Sequence, residues 1–205
     1  AKSEIEFACR HLDKPAQIAV ARLDLEDLAS VESFAREVSE LAGLRGLHIL
    51  VINAGVTGVG WLELRTGVHT GQELRFATNH LGHFQLTQML RPSLLQAARV
   101  GSASFGPPRV VVVASRSNKF SPALPAGRLD ALPSGSMLAS SCPRVFPVRR
   151  DLQLYALSKL CNIMFAKELA RRWGPEVLAV SLHPGSSILT NGGESAWLPR
   201  LWLRL

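Results

Sequence analysis

The chain has a single tyrosine, Tyr155, followed four residues later by Lys159. In a helix that spacing puts both side chains on one face, one turn apart. An ammonium held there favours the phenolate and lowers a phenol pKa that is about 10 when unperturbed. A phenol tuned in this way exchanges a proton with an alcohol or a carbonyl near neutral pH. Tyr-x-x-x-Lys alone is a common spacing, so the pair gains meaning only from its surroundings. Ser115, after the apolar run from Arg109 to Ala114, reads as a serine at the carboxyl end of a strand. Asn79 stands inside a helical pattern, where a bond to neighbouring backbone is the plainer reading. His80 and His83 lack an evident third ligand, so they read as packed or surface histidines and no metal site is expected. Ser115 and His183 have the residue types of a hydrolase pair, but no Gly-x-Ser-x-Gly elbow occurs.

The elements that must position these residues alternate along the chain. Residues 5–10 read as a short strand and 11–15 as a turn. Residues 18–25 read as a short buried-type strand leading into a helix capped by Asp24 or Asp27, with Leu28, Val31, Phe34, Ala35, Val38 and Leu41 at helical spacing and Gly43 at its end. Residues 47–52 form an apolar strand running into Asn53-Ala54-Gly55, whose small side chains let a ligand approach the backbone. A Gly/Thr-rich loop over 57–71 holds Trp61 and Leu62. A long helical pattern over 72–98 carries Asn79, and Pro92 is expected to kink or divide it. After the strand at 109–114, residues 117–148 turn rich in Pro, Ser, Gly and Arg without periodicity and read as one long surface excursion. The helix of Tyr155 and Lys159 spans 151–173 and ends at Gly174-Pro175. A last strand over 177–182 precedes His183-Pro184-Gly185, and residues 197–205 form a short apolar-basic tail.

This alternation predicts an α/β fold with a doubly wound, Rossmann-like parallel sheet in a single domain over 1–205. Ligands of such sheets bind outside the carboxyl ends of the strands. Asp24, Asn53, Ser115 and Pro184 all fall at strand carboxyl ends.

Composition narrows the class further. The 205 residues are 47% hydrophobic, with no apolar run long enough to span a bilayer. Cys9, Cys142 and Cys161 are odd in number and far apart, as expected of a reduced, intracellular protein rather than a disulfide framework or a zinc site. The net charge is +7, and 18 of the 23 basic residues are arginine, scattered and interleaved with acids. The basic excess from Arg109 to Arg150 lacks aromatic residues spaced for base stacking, so it reads as a solvated loop, or else as a docking surface for an anionic partner or membrane face, and no nucleic-acid partner is expected.

Taken in order, Asn53-Ala54-Gly55, Asn79, Ser115, Tyr155-x-x-x-Lys159 and Pro184-Gly185 resemble the short-chain dehydrogenase/reductase superfamily over residues 16–190. Asn79-His80-Leu81-Gly82-His83-Phe84, Ser158-Lys159-Leu160-Cys161-Asn162 and His183-Pro184-Gly185 resemble its retinol dehydrogenase and WW-domain oxidoreductase branch. The resemblance implies Tyr155 as general acid/base, Lys159 as its tuning cation and a ribose ligand, Ser115 as holder of the substrate oxygen, and Asn79 in a proton relay. It implies that Asp24, Asn53, Ala54, Gly55, Tyr155, Lys159, Pro184, Gly185, Thr190 and Arg10 meet a nicotinamide cofactor, NADP or NAD. The implied substrate is a small apolar alcohol or ketone such as a retinoid or steroid; Trp61, Leu62, Met137 and Leu138 either line its mouth or anchor loops.

The sequence also departs from the family. No glycine precedes Gly43, so the family's glycine-rich phosphate loop is missing, as is the family's carboxyl-terminal part. The first residues carry neither a start methionine nor a signal pattern and read as a chain that begins inside something longer. Two expectations follow: an incomplete copy of a nicotinamide-dependent oxidoreductase, or a catalytically silent form that binds full-length relatives. Self-association, and membrane association through the missing amino-terminal part, are compatible with the branch.

Overall fold

Asp27 starts the first helix, α1 (Leu28–Ala42), by accepting a hydrogen bond from the Ala29 N–H at 3.0 Å, which decides between the two aspartates. Such a cap is worth about 1 kcal/mol. Gly43, at φ +51°, ends the helix. The computed structural model describes Ser3, Phe7 and residues 17–57, 70–101, 106–121 and 147–185, with side chains from Leu152 onward in the last segment. Arg10, Thr190, Trp61, Leu62, Met137, Leu138, the strand expected at 5–10 and the tail at 197–205 lie outside the described residues.

The strand expected over 18–25 does not form among the described residues. Residues 17–24 join no sheet, and Leu25 alone is buried, against α1 and the helix that follows β1. The apolar pattern of this stretch is strand-like, but a strand also needs a neighbour to pair with, which no local pattern supplies.

The sheet contains β1 (Ile49–Ile52), β2 (Arg109–Val113) and β3 (Leu178–Leu182), all parallel in the order β1-β2-β3. This is the expected Rossmann-like α/β arrangement. Between β1 and β2 lie a helical turn (Leu74–Phe76), a π-turn (Ala77–Leu81) and α2 (Gly82–Val100). Pro92 lies inside α2 without dividing it. Pro92 and Gln88, the residue one turn earlier whose carbonyl Pro92 cannot serve, are both exposed, so water can take that bond. The helical pattern breaks instead at the π-turn.

Within the excursion expected from 117, residues Arg116–Phe120 form a 3₁₀ turn capped by Ser115, and α3 (Pro147–Trp173) begins before Asp151. The rest of that stretch lies outside the described residues. Ile52, Val110 and Val112 pack on Leu94 of α2 and on Phe165, Leu169 and Trp173 of α3. A fully buried leucine such as Leu94 stabilises by about 1.5–3 kcal/mol. Alternation along each strand turns Ile49, Val51, Leu178, Val180 and Leu182 to the opposite face, where among the described residues they stay exposed. Among the described residues no helix is long and apolar enough to cross a membrane.

Candidate active site

The amino-terminal part of α3 carries two stripes of polar side chains. Tyr155 and Lys159 form one, one turn apart, and Ser158 and Asn162 form the next. Lys159 is only 4% exposed, and its ammonium donates to the Val113 carbonyl at the carboxyl end of β2, at 3.2 Å. Tyr155 lies near Ser115, which follows the same strand and favours the phenolate. Ser115 is itself held by its own turn: its Oγ accepts from the Ser117 N–H and donates to the Ser117 hydroxyl, both at 3.2 Å.

The electrostatics correct one expectation. Burial pushes the Tyr155 phenol above its ordinary value, and Ser115 only partly opposes this. The Lys159 ammonium lies 5.7 Å from the centre of the tyrosine ring and bonds a carbonyl, so it does not lower the phenol as spacing alone implies. Burial in turn lowers Lys159. Tyr155 is therefore a held proton at neutral pH, suited to donating.

Asn79 is fully buried in the π-turn. Its Oδ1 accepts from the Val56 N–H at 2.7 Å, and its Nδ2 donates to the Val56 carbonyl and to the Ser158 hydroxyl, each at 3.0 Å. Gly55 comes close: a Cβ there would stand 3.0 Å from Asn79 Oδ1 and 3.5 Å from the Lys159 ammonium. Upstream of Asn79, the buried pair Glu73–Arg75 (2.6 Å) ties the loop after β1, because Arg75 Nε donates to the Thr57 carbonyl at 3.1 Å.

The structure thus brings together Ser115, Tyr155, Lys159, Asn79 and Gly55. Asn53 and Ala54 lie exposed beyond β1, and Pro184 and Gly185 lie exposed beyond β3. Asp24 is exposed, with its carboxylate accepting from the Glu26 N–H and its own N–H donating to Ser30. Ser158, Asn162, Val56, Glu73 and Arg75 carry weight that sequence reading did not assign. The i, i+4 repeat of Ser158 and Asn162 beside the Tyr/Lys pair was the available signal. Among the described residues no group of three or more His, Cys, Asp or Glu side chains is arranged to hold a metal.

No family model matches the chain. Curated relatives do. The chain is 35% identical over 192 residues to the WW domain-containing oxidoreductase of Gallus gallus, covering 93% of this chain and 41% of that protein. It is 36% identical over 189 residues to retinol dehydrogenase 14 of Mus musculus, covering 90% and 47%. It belongs to the short-chain dehydrogenase/reductase superfamily. The chain spans less than half the length of either relative. Among solved structures, the NADPH-bound carbonyl reductase from chicken fatty liver superposes with a TM-score of 0.58 at 18% identity, over 93% of this chain and 68% of that one. At that identity the likeness is one of fold.

The site of this short-chain dehydrogenase/reductase can be tested for fit to a nicotinamide nucleoside. An ammonium donates up to three hydrogen bonds, and the Val113 carbonyl takes one from Lys159. The missing side chain at Gly55 leaves backbone open beside that ammonium, and exposed Asn53-Ala54 and Pro184-Gly185 flank it at the strand ends. A ribose with vicinal hydroxyls fits this donor set. Among the described residues no glycine-rich turn opens a helix in the way a pyrophosphate requires.

Proposed function

We propose that the chain carries the acid/base centre of a nicotinamide-dependent oxidoreductase that interconverts a small, lipid-like alcohol and its carbonyl form. The observation that carries this reading is that Tyr155 stands beside Ser115 and the buried Lys159 at the carboxyl end of a parallel strand, with the Lys159 ammonium bonded to the Val113 carbonyl. The names of the retinol dehydrogenase and WW-domain oxidoreductase relatives support the reaction class, and the former name supports a retinoid substrate. The NADPH bound by the chicken carbonyl reductase supports NADP as the cofactor.

In this reading Asn53-Ala54-Gly55, Lys159 and Pro184-Gly185 hold the cofactor, which supplies the hydride. Ser115 donates to the substrate oxygen as negative charge develops there. Tyr155, protonated at neutral pH, gives up its phenolic proton to that oxygen. Lys159 supplies positive charge to the phenolate that this leaves, and Asn79 keeps the loop after β1 against α3. Asp24, Thr190 and Arg10 belong to the proposed cofactor contacts by resemblance.

The test is fluorescence titration with NADPH and NADH, then turnover of retinaldehyde and a steroid ketone. Saturable binding with turnover that Tyr155→Phe lowers by about 10²–10⁴, the usual contribution of a general acid, is expected. A chain that unfolds cooperatively yet binds neither nucleotide would overturn the proposal.

A further inference from the structure

We propose that Ser158 and Asn162 are positioning residues that grip Asn79 from both ends and so fix α3 to the loop after β1. Ser158 Oγ accepts from the Asn79 side-chain amide at 3.0 Å and donates to the Tyr155 carbonyl at 2.8 Å. One turn later, Asn162 Nδ2 donates to the Asn79 main-chain carbonyl at 3.0 Å. Asn79 and Ser158 are fully buried and Asn162 is 2% exposed, so each unmade bond would leave a polar group without water.

The winding of the chain makes this grip possible. In the π-turn the Gly82 N–H bonds the Ala77 carbonyl, five residues back. Within that widened turn the Asn79 carbonyl takes side-chain donors, Asn162 Nδ2 and His83 Nδ1, the latter also at 3.0 Å. The far side of Asn79 pairs with Val56 through two bonds. The network therefore runs unbroken from Val56, beside Gly55, through Asn79 to the helix that bears Tyr155 and Lys159.

It also sets the state of His80. Asn162 spends its amide N–H on Asn79 and presents Oδ1 to His80 Nδ1 at 3.0 Å, so His80 must carry its proton on Nδ1. Phe76, Phe84 and Phe165 surround that ring and hold its plane.

Amide exchange in the ¹⁵N-labelled full chain tests the grip, because the Val56 N–H is bonded to Asn79 Oδ1. Ser158→Ala and Asn162→Asp are each expected to speed Val56 exchange at least about tenfold, while the β2 amides keep their protection. In Asn162→Ala, His80 is expected to lose its fixed Nδ1–H tautomer in nitrogen chemical shifts. Unchanged Val56 exchange in Ser158→Ala, or a rise matched by the β2 amides, overturns the proposal, and Ser158→Ala decides alone if the Asn162 variants do not fold. These readouts need no cofactor. Only the catalytic consequence, a fall in kcat in the same variants, rests on the oxidoreductase reading.

Discussion

Lowering the pH from 7 to 5 is expected to weaken the fold through His83. Its imidazole is buried in α2, with Nδ1 donating to the Asn79 carbonyl. Burial pulls its pKa from 6.5 to about 4; the Asn79 bond opposes this, and the positive charges of Lys159 and His80 add to it. The folded-state value is therefore below the unfolded one. Between pH 6.5 and 4 the unfolded chain binds a proton that the folded chain refuses, so stability falls as pH falls. At pH 7 the effect is well under about 1 kcal/mol. At pH 5 it reaches about 2 kcal/mol, and below pH 4 it levels near about 3 kcal/mol, by the same linkage relation. Urea unfolding at pH 7 and pH 5 measures it, with His83→Gln as reference because glutamine keeps a donor and does not titrate. His80, also lowered by burial, contributes in the same direction and remains in both proteins. The wild-type chain should lose about 2 kcal/mol more than the variant between the two pH values. Equal losses in the two proteins would refute the assignment of His83 as a buried neutral imidazole.

Three further outcomes follow. Gly82→Ala would drive a Cβ into the backbone of Leu25, whose carbonyl carbon would lie at 2.9 Å, so thermal unfolding should show a loss of about 3 kcal/mol. Arg75→Met leaves Glu73 buried without its cation and should cost about 3–5 kcal/mol in denaturant titration; adding Glu73→Gln should recover most of it, and no recovery would count against the ion pair. In a Cys9→Ser/Cys142→Ser background, Cys161, raised by burial to about 11, should react with a chromogenic disulfide at pH 8 about a hundredfold more slowly than an exposed thiol, and at an ordinary rate once unfolded.

Much of the site was legible because its signals are local. Tyr155 and Lys159 share a helix face by spacing alone, Asp27 caps by residue type, and the valines of β2 declare a buried strand within five residues. The failures share a different origin. Residues 18–25 have the composition of a strand, but pairing is decided by a neighbour elsewhere in the chain. The π-turn adds one residue to a helical pattern that hydrophobic periodicity tolerates without trace. No local signal shows that Glu73 and Arg75 are buried and paired. The direction of the Tyr155 shift was likewise out of reach: spacing names the cation, but only the fold shows that it bonds the Val113 carbonyl while burial raises the phenol.

The π-turn makes the site depend on how many residues separate Glu73 from Gly82 as well as on which they are. Removing Ala77, Thr78 or Leu81 would restore ordinary winding, rotating the preceding turn by about 100° and moving it about 1.5 Å along the axis. Glu73 and Arg75 would then swing away from the Thr57 carbonyl even though no side chain in the site had been changed. An alignment gap between positions 77 and 81 in a relative is thus a better sign of a rebuilt site than a substitution at Ala77, Thr78 or Leu81.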